Sequence, residues 1–165
     1  MKKLIVASVV LGLAVFCVAA ALVWLRLHDD AVVAVRDISR IERYFHDYGL
    51  TLPPTADPVS VLVHRGGRAF EVAAFDVGEA EFRTFLEETD GKYRLTVRSG
   101  AEREKLLSKI AAAFAAAGVS FPSEADRKGC QAAETRITDS AVYFVSVTDT
   151  GKVFLAIVYD GALPE

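Results

Sequence analysis

The sequence predicts an α+β fold: an N-terminal transmembrane helix, then a mixed β-sheet of about five to six strands with two to three helices packed on it. Three observations predict it. An uncharged apolar run opens the chain, alternating and 3.6-period apolar patterns succeed one another after it, and a strongly apolar hairpin pattern closes it. The predicted division is an anchor over 1–28, a juxtamembrane amphipathic helix over 29–49, a Pro-rich linker over 50–58 and an extracytoplasmic α+β domain over 59–165. At 165 residues, 52% of them hydrophobic and 25% charged, the chain suits one sizeable domain and is neither disordered nor fibrous. Two cysteines exclude a disulfide scaffold.

The anchor runs from Leu4 to Leu25, which is 22 residues without a charge, between Lys2-Lys3 and Arg26. About 20 apolar residues cross a hydrocarbon core, and Trp24 sits where an amphipathic ring meets the interface. A cleaved signal peptide with its small-residue site at Ala19-Ala20-Ala21 is the alternative, but Leu22 to Leu25 extend the apolar run past that cut. Phe16 ahead of Cys17 argues against lipidation. Lys2 and Lys3 favour a cytoplasmic N-terminus; Arg36, Arg40 and Arg43 oppose it, accompanied by Asp37 and Glu42. The reading is a single-pass protein of a bacterial inner membrane with its C-terminal domain in the periplasm. Residues 29–165 hold all 22 acidic residues but 16 of the 19 basic ones, a formal charge of −6, which excludes a nucleic-acid footprint. Cys130 is the only thiol of that part and reads as buried.

Ala31, Ala34, Ile38, Ile41, Phe45 and Tyr48 recur at spacings of three and four, predicting one stripe of a helix that ends at Gly49. That stripe packs on the domain's own sheet, or it serves self-association or docking on another membrane subunit. Pro53, Pro54 and Pro58 mark the linker. Val59 to Arg65 and Arg68 to Val77 alternate as strands around Gly66-Gly67. Asp76 to Thr89 reads as a short helix with Phe82, Phe85 and Leu86 inward, and Asp90-Gly91 as a turn. Lys92 to Arg98 reads as a strand, with Lys92, Arg94 and Arg98 on one face. Ser99 and Glu102 fit a capping box for a helix that runs to Ala117 and ends at Gly118. Val119 to Phe121 suits a short strand, and Pro122 to Arg136 reads as a loop. Ala141 to Thr148 and Val153 to Tyr159 form a hairpin with neither face polar, the pattern of strands covered on both sides. The helices are expected on one face of the sheet.

Leu52-Pro53-Pro54, Pro58 to Val63, the Gly66-Gly67 turn, the short helix, Tyr93 to Arg98 and the helix ending Ala115 to Val119 follow one another in a familiar order. Over about Leu52 to Phe121 the chain resembles the periplasmic part of the ExbD/TolR stator proteins. The resemblance implies one N-terminal span, a small periplasmic sheet-and-helix domain and a multi-span membrane partner that uses the proton gradient. Leu4 to Leu25 lacks the carboxylate that carries protons in that family, and the closing hairpin is additional.

No nucleotide-binding glycine loop, HExxH or CxxC is present, and His28, His46 and His64 are scattered. The sequence therefore predicts no catalytic residues, no cofactor and no metal. Two surfaces suit a partner: the cationic set Lys92, Arg94 and Arg98, which fits an acidic protein or an anionic cell-wall polymer, and the stripe Ile38, Ile41, Phe45 and Tyr48. The expected function is a non-enzymatic, membrane-anchored periplasmic interaction module. It would be an envelope-complex subunit or an immunity-type inhibitor of a toxin, held in the bilayer through residues 4–25, with a homodimer as one form of association. The alternatives are an ExbD/TolR-like accessory without its own proton-carrying residue and a cell-envelope enzyme with an unrecognised site.

Overall fold

A computed structural model describes residues 17–19, 31–35, 37–65, 68–147 and 150–159. The fold is α+β. Seven strands form one sheet: β1 (Ala31–Val35), β2 (Ala56–Arg65), β3 (Arg68–Asp76), β4 (Thr96–Arg98), β5 (Cys130–Ile137), β6 (Ser140–Val147) and β7 (Lys152–Val158). Their spatial order is β1-β2-β3-β7-β6-β5-β4, and every pairing is antiparallel. The expected mixed sheet is thus corrected. Parallel neighbours need long crossovers, and here hairpins join β2 to β3, β5 to β6 and β6 to β7.

Three helices cover the sheet: α1 (Ser39–Asp47), α2 (Glu79–Tyr93) and α3 (Gly100–Ala116). They lie on both faces, not on one. Leu107, Ile110 and Phe114 of α3 pack with Val61, Val72, Val145 and Phe154. Ile41 and Phe45 of α1 and Phe82 and Phe85 of α2 pack with Phe75, Phe144, Leu155 and Ile157 on the other side. Phe154 and Leu155 are neighbours on β7 yet serve different cores, which is why β7 reads as a continuous apolar run.

The helix predicted over 29–49 is corrected in its first half. Ala31–Val35 is an edge strand paired with Ser60 to His64, because its three valines favour a pleated neighbour over a helical turn. Helix α1 begins at Ser39, whose N–H and hydroxyl both donate to Asp37. Those two bonds hold the Asp37 carboxyl below its ordinary value, chiefly through the backbone bond. The ends of α1 and α3 share one device. Gly49 and Gly118 take left-handed backbone (φ 72° and 69°), and the next residues, Leu50 and Val119, donate back to Phe45 and Phe114. Leu50 and Leu52 are buried beneath α1, so the predicted linker packs into the core, and β2 already starts at Ala56. The predicted anchor, 4–25, lies outside the described residues except 17–19, which are helical. No helix among the described residues is long and apolar enough to cross a membrane.

Beneath α1 the sheet carries polar groups. Glu71 of β3 is 1% exposed; it accepts from the Ser60 hydroxyl at 2.6 Å and the Tyr159 hydroxyl at 2.9 Å, and the Arg40 Nε lies 3.6 Å away. Tyr44 of α1 stacks edge-on against Phe45, Tyr48 and Tyr159. Its buried hydroxyl makes no hydrogen bond to a described residue; the Ser140 hydroxyl is close, but its geometry falls short of one. Burial pushes the Tyr44 pKa up to about 12, with Ser140 opposing. Two outcomes follow for Tyr44→Phe. Removing an unsatisfied buried hydroxyl stabilises the fold by about 1 kcal/mol, read from the urea midpoint. The native protein also keeps a proton that the unfolded chain releases near pH 10. Wild-type stability is therefore level in this respect below about pH 10 and falls as the pH climbs toward 12, whereas the Phe variant loses that part of the slope.

Candidate functional site

The sites predicted from sequence separate in space. Ile38, Ile41 and Phe45 are buried in the core between α1 and the sheet. They are not a partner surface, because the sheet is itself the partner of the stripe. Tyr48 is half-buried, and its carbonyl accepts from the Tyr93 hydroxyl at 2.7 Å. The three cations do not share a strand face either. Lys92 belongs to the last turn of α2 and donates to the Gly49 carbonyl. Arg94 follows α2 in positive-φ backbone (φ 55°), unusual for a side chain with a Cβ. Only Arg98 lies on a strand, β4.

Arg94 and Arg98 nevertheless line one feature, an open groove between α3 and the outer strands β4, β5 and β6. It consists of two adjoining hollows that share Glu134, one of about 430 Å³ lined by the Tyr93–Arg94 turn and β4 to β6, and one of about 220 Å³ between β4, β5 and α3. Local bonds set its walls. The Asp90 carbonyl accepts from Arg94 N–H and its carboxylate from Leu95 N–H, which closes α2 and turns the chain into β4. The Thr135 hydroxyl donates to the Tyr93 carbonyl at 2.8 Å, which ties that turn to β5. Alternation along β5 then sends Glu134 and Arg136 to the α3 side, beside Tyr143 of β6.

The electrostatics oppose those of the whole chain. Five cations, Arg94, Arg98, Lys105, Lys109 and Arg136, line the groove with two carboxylates, Glu102 and Glu134. Arg98 uses both carboxylates: its Nε and Nη2 donate to Glu134 and its Nη1 to Glu102 at 2.9 Å. Those bonds, led by that to Glu134, raise the guanidinium pKa further. The predicted capping box is therefore not formed, because Glu102 turns to Arg98 and the Ser99 side chain makes no cap bond. The other four cations have no ion-pair partner among the described residues. Burial raises the Tyr143 pKa, most strongly, and the Glu134 charge adds to the shift, so this phenol stays neutral.

Sequence reasoning missed Lys105, Lys109, Glu134, Arg136 and Tyr143. The two lysines lie on a helix read only for its apolar side, and Glu134 and Arg136 lie in a segment read as loop. The available signal was the period-two alternation of Cys130, Ala132, Glu134 and Arg136 against Ala133, Thr135 and Ile137.

A larger hollow of about 550 Å³ opens near the C-terminal end of α3, floored by Phe121 and Phe154. Of its charged lining residues Asp57, Asp126 and Lys152, the last two are engaged within the protein. Lys152 lies 3.9 Å from Asp76, and Asp126 accepts from the Ser123 hydroxyl. Segment 119–121 there is not a strand, and 126–129 form a 3₁₀ turn. No three His, Cys, Asp or Glu side chains among the described residues are grouped to hold a metal ion. Cys130 is buried, as expected of the lone thiol of this part, although its segment is strand β5 and not the expected loop, and burial raises its thiol pKa. No family model, characterised protein or solved structure matches the chain.

Proposed function

We propose that this chain is a non-enzymatic, membrane-tethered interaction module of a bacterial envelope, and that it holds an acidic protein partner in the groove between α3 and β4–β6. One observation carries the reading: four cations without ion-pair partners among the described residues, gathered in one groove of a net acidic chain. Such a patch steers and orients an acidic surface. The tether is the apolar run 4–25, and the periplasm is the side its flanking lysines favour. A stator-like accessory is the second reading, favoured by the strand-strand-helix-strand-helix order of residues 56–116, the order in which the resemblance runs.

The test uses the full chain in detergent micelles and a fluorescein-labelled octaglutamate peptide, followed by anisotropy. Binding is expected in low salt and is expected to weaken as salt screens it. The fourfold reversal R94E/K105E/K109E/R136E should weaken it at least about tenfold, a change of about 1.4 kcal/mol, while the thermal midpoint moves little because these side chains are not core residues. Equal binding by both proteins, or preference for anionic vesicles or for a polysaccharide over the peptide, would overturn the reading.

A further inference from the structure

The two edges of the sheet are built differently. One edge is β4, three residues long, whose Arg98 is held by Glu134 and Glu102. Short length and charge blunt an edge against further pairing. The other edge is β1, five residues, Ala31-Val32-Val33-Ala34-Val35, with no charge, proline or bulge. Among the described residues no strand pairs with its outer side. Val32 and Val33 point to opposite faces of the pleat, and they are 55% and 48% exposed. An uncharged, regular, half-exposed edge is a template for another strand.

We infer that β1 is the self-association edge, and that its occupant is β1 of a second copy of this chain in antiparallel register about Val33. The sequence of β1 selects this partner. Folded onto itself about Val33, the segment sets Ala31 opposite Val35 and Val32 opposite Ala34, so each alanine meets a valine and only the central pair is valine on valine. No charge meets a like charge across this pairing. The pairing is isologous and closes at two, because it consumes the same edge on both copies and leaves only the blunted β4 edges outside. A continuous sheet of two sevens results. The antiparallel register also sets the two Ala31 ends about 14 Å apart. The five residues 26–30 span up to about 17 Å, so both apolar runs 4–25 reach one bilayer.

The experiment uses the full chain in detergent with Cys17→Ser; Cys130 stays, since it is buried. On this background Val33→Cys should give an interchain disulfide on mild oxidation in most of the protein, because the central pair faces itself. Val97→Cys, on the opposite edge and 67% exposed, should give little. Light scattering after size exclusion should report two chains per particle. Val33→Lys, which sets two ammonium groups against each other, should raise the dimer dissociation constant at least tenfold and leave the thermal midpoint of the dissociated chain near that of wild type. If Val33→Lys fails to fold, the crosslinking pair still decides. A single chain per particle at 100 μM overturns the inference. So does a dimer that survives Val33→Lys with no crosslink at Val33→Cys, which would place the association elsewhere, and so does equal crosslinking at both edges.

Discussion

Replacing Phe144 by alanine should lower the stability of the fold by about 4 kcal/mol. Phe144 is 2% exposed and stands where all elements of one core meet. Its ring centroid lies 6.2 Å from Phe45 of α1, 6.3 Å from Phe82 and 5.9 Å from Phe85 of α2. The alanine loses the transfer free energy of a buried ring and leaves a cavity walled by three other rings that cannot all collapse into it. For a domain of this size the thermal midpoint should fall by about 10 °C. Phe154, one strand over, belongs to the α3 core with Phe114 and Phe121. Because the sheet separates the two cores, F144A and F154A should add to within about 0.5 kcal/mol, whereas F144A and F85A should couple. Additive behaviour of F144A with F85A would contradict the aromatic cluster. A loss under about 1.5 kcal/mol for F144A would contradict the burial itself.

Much of this framework is legible without coordinates. The alternation in Val59 to Arg65 and Arg68 to Val77 corresponds to the β2–β3 hairpin, and the two-sided apolar runs of β6 and β7 correspond to strands with helices on both sides. The failures share a cause: the deciding partner is distant in sequence. Ala31 and Ala34 fit a helical stripe by spacing alone, yet their segment lies beside β2, almost thirty residues on. Asp90-Gly91 has the composition of a turn, but α2 runs through it to Tyr93. The tertiary bonds from Lys92 to the Gly49 carbonyl and from Tyr93 to the Tyr48 carbonyl hold that last turn in helical form. Cys130 to Ile137 is rich in alanine and charge, so its strand character comes from β6 beside it rather than from its own propensity. Missing β5 meant missing the groove, because Glu134 and Arg136 come together with Arg94 and Arg98 only once β5 lies between β4 and β6.

Glu71→Ala is expected to cost about 3 kcal/mol, and most of that cost comes from what the carboxylate leaves behind. Glu71 is the one fully buried carboxylate among the described residues, and two hydroxyls donate to it. Without it Ser60, 1% exposed, and the largely buried Tyr159 hydroxyl lose their acceptor, at about 1–3 kcal/mol for each buried group left unmade. Arg40 suffers less, since half of its side chain is in water and its head group returns to solvent. Burial raises the Tyr159 pKa, most strongly, and the Glu71 charge and hydrogen bond raise it further. The phenol therefore stays protonated and keeps donating across the neutral range, and its contribution fades only above pH 10, as the unfolded chain begins to ionise. Two variants separate the penalty of stranded partners from the worth of the network. Glu71→Gln keeps one acceptor oxygen and should lose about 1 kcal/mol. The triple variant E71L/S60A/Y159F removes donors and acceptor together and should recover most of what Glu71→Ala loses, since a matched apolar replacement is often neutral. Urea midpoints at pH 7 decide between the two accounts. If the triple variant is as unstable as Glu71→Ala, the network itself holds α1 to the sheet; if it approaches wild type, the shape of the core does so.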